Sequence, residues 1–190
     1  MSQSTMTPLI LVLQSLVDFG KGNFQDCLKH LKQVISMNPR SPPSIWLGIG
    51  LCYYRLGNTT KALFTFQRVL DYEPGNVLAN NAIVIISNMG DHILRDEEHK
   101  QKNATNLSRS YQTDKNNPLT LKLVAEHFFQ MGQYDKAQSA CEQALKVLES
   151  YRASDSNSAR ENPNFRKDIE YLKSDIHFVI GKIHHVKKNF

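Results

Sequence analysis

The spacing of large and small side chains between residues 43 and 76 constrains this chain more than any other feature. Trp46, Ile49, Gly50 and Tyr53 stand three or four positions apart and so share one face of a helix. Ala62, Phe66 and Val69 do the same on a second helix. Gly57-Asn58 turns the chain between them, and Pro74 stops the second helix. Glycine inside a helix costs about 1 kcal/mol relative to alanine, so Gly50 needs a packing reason. With Ala62 it marks where two antiparallel helices come closest, while Trp46, Tyr53 and Phe66 fill the space on either side. One such hairpin cannot bury both of its apolar faces, so copies are expected to stack on it.

Three further copies can be traced. In 8–41, Thr7-Pro8 starts a helix with Leu11, Ser15 and Phe19, Gly22-Asn23-Phe24 turns, and Cys27, Leu31 and Val34 continue before Pro39. Gln14 and Asp18 stand where Leu and Tyr are usual, which fits a polar-sided cap or the edge of a longer array. In 77–117 the copy is degenerate. Ile83, Val84 and Ile86 mark its first helix, and Leu107, Ser110 and Tyr111 its second, at about 100–113, with extra charged residues in 90–99. Glu97, Glu98 and His99 lack metal-ligand spacing and fit a solvated turn. In 118–149 the pattern returns with Leu121, Val124, Ala125 and Phe128, then Gly132, then Ala137, Cys141 and Ala144. Residues 150–168 lack apolar periodicity and are expected to form a flexible insertion. Residues 169–190 are the first helix of an incomplete fifth copy, with Ile176, Ile180 and Ile183 expected to lack cover.

The pattern W-x2-[LI]-G-x2-Y, then A-x3-F, then P over 43–76 resembles the tetratricopeptide repeat. That resemblance implies an all-α fold, a right-handed superhelix of about nine helices in antiparallel pairs.

Composition narrows the function. Formal charge is +5, yet basic and acidic residues are interspersed, and no basic run tracks a phosphate backbone. Cys27, Cys52 and Cys141 form no C-x-x-C pair and fall within helices, as buried small residues do. The start has no basic n-region, no segment is long enough to span a membrane, and an intracellular, reducing compartment is expected. The sequons at Asn58, Asn103 and Asn106 are then chance matches. No nucleophile-base pattern, phosphate loop or metal cluster is present, so neither an enzyme nor a cofactor is expected. His127, beside Phe128, is structural, and His184 and His185 point to different sides of a helix. A base-reading helical repeat would need polar positions where Leu47, Ile85 and Phe129 stand.

A more specific resemblance rests on the run NLSRSYQTDKNNPLTLKLVAEHFFQMGQYDKAQ, residues 106–138, and on PRSPPSIWLGIGLCYYRLGNTTKALFTFQRVL before it, followed by a degenerate repeat with an insertion. This order resembles the tetratricopeptide scaffold family of the polymerase-associated factor (PAF) complex, over about residues 8–190. The resemblance implies a nuclear protein that holds together a complex riding on RNA polymerase II during elongation and promoting histone modification. Its partners would be other subunits of that complex. Family members are longer, so this chain would correspond to an internal part. The alternatives are the tetratricopeptide scaffold of another multiprotein complex, or a co-chaperone or adaptor that grips peptide tails. Such clamps use Lys and Asn at the fifth and ninth positions of a first helix. Here Lys122 is followed by Glu126, which repels a terminal carboxylate.

In this fold the first helix of each pair lines the concave side. Its register gives a candidate partner groove of Val12, Leu16 and Phe19, then Leu47, Leu51 and Tyr54, then Asn81 and Ile85, then Lys122 and Phe129. Those side chains either pack against adjacent repeats or hold an apolar segment of a partner.

Overall fold

The structure is a computed structural model that describes residues 7–89, 97–154 and 163–188. Among these residues the chain is all α-helix: α1 (Pro8–Lys21), α2 (Phe24–Met37), α3 (Pro43–Arg55), α4 (Thr59–Tyr72), α5 (Val77–Met89), α6 (Glu97–Thr113), α7 (Pro118–Gln130), α8 (Tyr134–Ser154) and α9 (Pro163–Lys188). They fall into two compact units, Met1–Gly90 and Asp91–Phe190. The boundary between the units lies inside the degenerate repeat expected over 77–117.

The same turn joins α1 to α2, α3 to α4 and α7 to α8. Gly22, Gly57 and Gly132 take φ of 81°, 76° and 71°. The following N–H groups of Asn23, Asn58 and Gln133 donate back to Asp18, Tyr53 and Phe128 carbonyls at 2.8, 2.9 and 2.9 Å. This is a Schellman closure, which satisfies the last carbonyls of one helix while reversing the chain. Asn58 then caps α4, its Oδ1 accepting from the Lys61 N–H at 3.1 Å. A Cβ at Gly57 would touch nothing within 4 Å, so only the left-handed backbone resists substitution there. Gly57→Ala is expected to destabilise the first unit by about 1–2 kcal/mol. Gly20→Ala, on an exposed helical face with equally open space, should stabilise it by up to about 1 kcal/mol. Urea titration of both variants separates the two effects.

In the first unit α1 pairs with α2 and α3 with α4, α2 packs on α3, and α5 packs on α4. One core cluster holds Leu11, Cys27, Leu31, Val34, Ile45, Ile49 and Cys52. A second holds Ala62, Phe66, Val69, Leu70, Ala79, Ile83 and Ile86. Trp46 and Tyr53 lie against both. Gly50 is buried, and a Cβ there would stand 2.6 Å from Phe66 Cε1. The close approach expected of Gly50 is therefore an approach to the Phe66 ring. Gly48 has a similar relation to Leu31 of α2, at 3.0 Å from its Cδ1.

Repeat one differs from the expected polar-sided cap. Gln14 and Asp18 are half-buried, and Asp18 Oδ2 lies 3.0 Å from His30 Nδ1 of α2. The outward side of α1 is apolar instead, with Leu9, Leu13, Leu16 and Val17 all more than half exposed. The spacing of these four makes one continuous helical stripe.

In the second unit α7 pairs with α8, and α9 packs on both, while α6 packs on α7. Leu121, Ala125, Ala137, Cys141, Ala144, Leu148, Ile176, Val179 and Ile183 form one core. This corrects the expectation that the α9 stripe lacks cover. Ile176 and Ile183 are both 0% exposed and Ile180 is half-buried, because α7 and α8 together present a groove of small residues that receives them. Among the described side chains of α9, the exposed large apolar ones are Tyr171 and Phe178. The bounds of the insertion expected over 150–168 also change. Helix α8 runs on to Ser154 and α9 begins at Pro163, leaving 155–162 outside the described residues.

Cys27 and Cys52 bring their sulfurs to 3.2 Å in the first core, both as free thiols. Burial drives both thiols up, Cys52 to about 12, and does the same for Cys141, to about 11. The thiolate is the reactive form. In the folded protein at pH 8 none of the three should be alkylated by iodoacetamide over the time that a free thiol reacts fully. All three should be alkylated once denaturant is added. Rapid labelling of the folded chain, read by mass spectrometry, would contradict this packing.

Candidate protein-interaction surface

In the first unit Val12 and Phe19 of α1 are half-buried against the Leu11–Cys27 core. Phe19 meets Phe24 edge-on at 5.3 Å between ring centres. Leu16 is open, 64% exposed on the apolar stripe of α1. Leu47, Leu51 and Tyr54 of α3 come together, half-buried, against the Phe66–Ile83 core. Tyr54 directs its hydroxyl at Met89 Sδ, 3.5 Å away. Ile85 of α5 is half-buried. These half-buried positions support the core and keep a solvent-facing side.

Asn81 departs from the expected groove, being 1% exposed. Helix α5 buries Ala79, Asn80, Asn81, Ile83, Val84 and Ile86, and its open side carries Leu78 and Met89 instead. The position rule therefore holds for Ile85, which lies on that open side, and fails for Asn81, which does not.

In the second unit Lys122 and Phe129 sit on one side of α7. Lys122 Nζ lies 3.0 Å from Glu126 Oε1, the pairing the sequence suggested, and 3.9 Å from Asp175 Oδ2 of α9. Two carboxylates thus share one half-buried ammonium. Phe129 packs on the core and tilts against Tyr134 at 5.6 Å. Its outer face belongs to an aromatic-cation group that the candidate residues missed. Lys182 Nζ stands 5.2 Å from the Phe129 ring centre and 5.0 Å from that of Phe178. Beside them lies a recess of about 590 Å³ bordered by Phe129, Phe178 and Lys182 with His177 and His185. The signal was in the sequence: Phe178 and Lys182 hold the fifth and ninth positions of the last repeat's first helix, as Lys122 and Glu126 do on α7. His127 lies on another side of α7, half-buried, and burial lowers its pKa.

Among the described residues no group of three or more His, Cys, Asp or Glu side chains is placed to hold a metal ion. No helix there is long and apolar enough to cross a membrane. What the surface offers is aromatic and aliphatic contact area rimmed by cations, which suits protein binding.

Comparison with known proteins agrees with this geometry. Tetratricopeptide repeat family models match residues 43–76 and 126–147. Protein CTR9 homolog of Arabidopsis thaliana is 33% identical over 137 residues, which is 72% of this chain and 12% of that protein. RNA polymerase-associated protein CTR9 of Saccharomyces cerevisiae is 25% identical over 138 residues, 70% of this chain and 13% of that protein. The Caenorhabditis elegans protein of the same name is 28% identical over 131 residues, 68% of this chain and 11% of that protein. The chain thus spans only about an eighth of the length of these relatives. Among solved structures, a thermophilic TPR protein of Thermus thermophilus superposes with a TM-score of 0.61 at 12% identity, covering 87% of this chain and 98% of that one. The MamA protein does so at 0.61 and 16% identity, covering 96% and 93%. At such identities these structures speak for the fold alone. The repeated Schellman turns, the Gly50–Phe66 contact, the family models and the structural neighbours converge on one conclusion: this chain is a tetratricopeptide repeat protein, a protein-interaction scaffold built from paired helices.

Proposed function

We propose that this chain is part of the scaffold on which a PAF-type complex assembles on RNA polymerase II, acting in the nucleus in transcription elongation and the histone modification coupled to it. The observation that carries this reading is the 33% identity to the CTR9 homolog across 72% of the chain. The matches to two proteins described as RNA polymerase-associated support it. The mechanism is non-catalytic. Side chains on the first helices of the pairs hold apolar segments of other subunits, chiefly Leu16, Leu47, Leu51, Tyr54 and Ile85 in the first unit and the Phe129–Lys182–Phe178 group in the second. Rigid helix pairs offer such contacts at low ordering cost, which favours affinity.

The alternative of an adaptor that grips a terminal carboxylate is disfavoured by Lys122, whose ammonium already faces both Glu126 and Asp175. Affinity purification of the tagged chain from nuclear extract, followed by mass spectrometry, discriminates the two. The scaffold reading expects enrichment of RNA polymerase II and its associated factors over a tetratricopeptide control. Enrichment of chaperones without polymerase-associated proteins would overturn it.

A further inference from the structure

We propose that the first unit carries a second docking surface, a cleft between α2 and α4 floored by α3, which takes an acidic peptide segment with an apolar anchor residue. The cleft has a volume of about 510 Å³. Ile49, Trp46 and Tyr53 form its floor, and Phe64 stands at its edge with 74% of its surface exposed. This aromatic side chain is thus largely open to solvent beside the cleft. Two cations overhang the floor: Lys32 Nζ of α2 is 5.2 Å and Lys61 Nζ of α4 is 5.7 Å from the centre of the Tyr53 ring. Arg68 lies 4.1 Å over Trp46, and its buried Nε has no hydrogen-bond partner. Among the described residues none of these three cations has a carboxylate within ion-pair distance.

The chemistry of the occupant follows from that imbalance. Three positive charges held on aromatic faces, over an apolar floor and without internal counter-charge, are complementary to carboxylates flanking an apolar side chain. A nucleic acid is the poorer fit, because the lining offers hydroxyls and ammoniums but no side-chain amide, and the Arg68 guanidinium is laid over the Trp46 ring. The second unit repeats the device in reduced form. There Lys136 alone lies over Phe128, at 5.6 Å, in a cleft between α6 and α8. The charges that distinguish the first cleft are therefore Lys32 and Arg68. This surface is separate from the first-helix residues invoked above, and it stands whether or not the chain serves RNA polymerase II.

The test uses the full chain and a fluorescein-labelled peptide of glutamates around a central Phe-Leu pair, read by fluorescence polarisation. Saturable binding is expected, weakening as salt is raised. Lys32→Glu with Lys61→Glu should weaken it by about tenfold or more, and Phe64→Ser should weaken it without any change in charge. Replacing the peptide's glutamates with lysines should abolish binding to the unaltered chain, an arm that does not depend on any variant folding. Equal binding of the lysine peptide, or unchanged affinity in the folded charge-reversed variant, would overturn the proposal. So would displacement of the acidic peptide by a single-stranded oligouridylate at equal or lower concentration.

Discussion

Phe66→Ala is expected to lower the stability of the first unit by about 3–5 kcal/mol, the range for removing a fully buried aromatic ring. Phe66 is 0% exposed and belongs to the core that α4 shares with α5. Its ring also occupies the space that Gly50 leaves empty, and a Cβ at Gly50 would meet three of its carbons at 2.6, 2.9 and 3.0 Å. The loss is large against the roughly 5–15 kcal/mol by which whole domains are stable. The same contact can be broken from the other side. Gly50→Leu should cost about 1–3 kcal/mol or more by overpacking. Gly50→Ala combined with Phe66→Leu should be milder than the sum of the two single changes, because the smaller side chain relieves the clash. Urea unfolding monitored by circular dichroism measures each of these variants. An unchanged midpoint for Gly50→Leu would mean that α3 and α4 do not meet there.

The second large effect concerns binding. Tyr54→Ala together with Phe129→Ala should weaken capture of partner subunits by about 2 kcal/mol or more, the cost of losing aromatic anchors, or roughly thirtyfold in Kd. Helical content should be preserved, since both rings are only half-buried and neither fills a closed core position. Each single variant belongs to one unit, so measuring both shows whether the two units contribute independently. A folded double variant with unchanged affinity would move the interface away from the first helices. The α2–α4 cleft would then be the leading candidate.

Much of this is legible from residue types, for a physical reason. Close helix packing demands a small residue facing a large one, and Gly50, Ala62 and Phe66 leave that trace in any sequence that uses it. The left-handed turn demands glycine, so Gly22, Gly57 and Gly132 mark the three hairpins. Charged and polar stretches are harder to place. Residues 150–154 and 163–168 extend α8 and α9, yet a solvated helical stretch has much the same composition as a loop. Pro163 is the available signal, since proline favours the first position of a helix. A register transferred from α1 and α3 misplaces Asn81, because the open side of α5 is narrow, carrying Leu78 and Met89 and leaving Asn81 in the core. Phe178 and Lys182 follow that register on the last helix, beyond the candidate groove, which ends at Phe129. Nor does the sequence show which cations lack counter-charges. That depends on side chains distant along the chain, as with Lys32 and Lys61 over Tyr53.

The central claim is that partners are held on the first helices of the pairs. Hydrogen–deuterium exchange of the chain, alone and bound to the subunits it captures from nuclear extract, tests this most directly. Slowed exchange is expected in α1, α3 and α7 around Leu16, Leu47–Tyr54 and Lys122–Phe129, and in α9 around Phe178. Protection confined to α2, α4 and α8, with α1, α3, α7 and α9 unchanged, would contradict it.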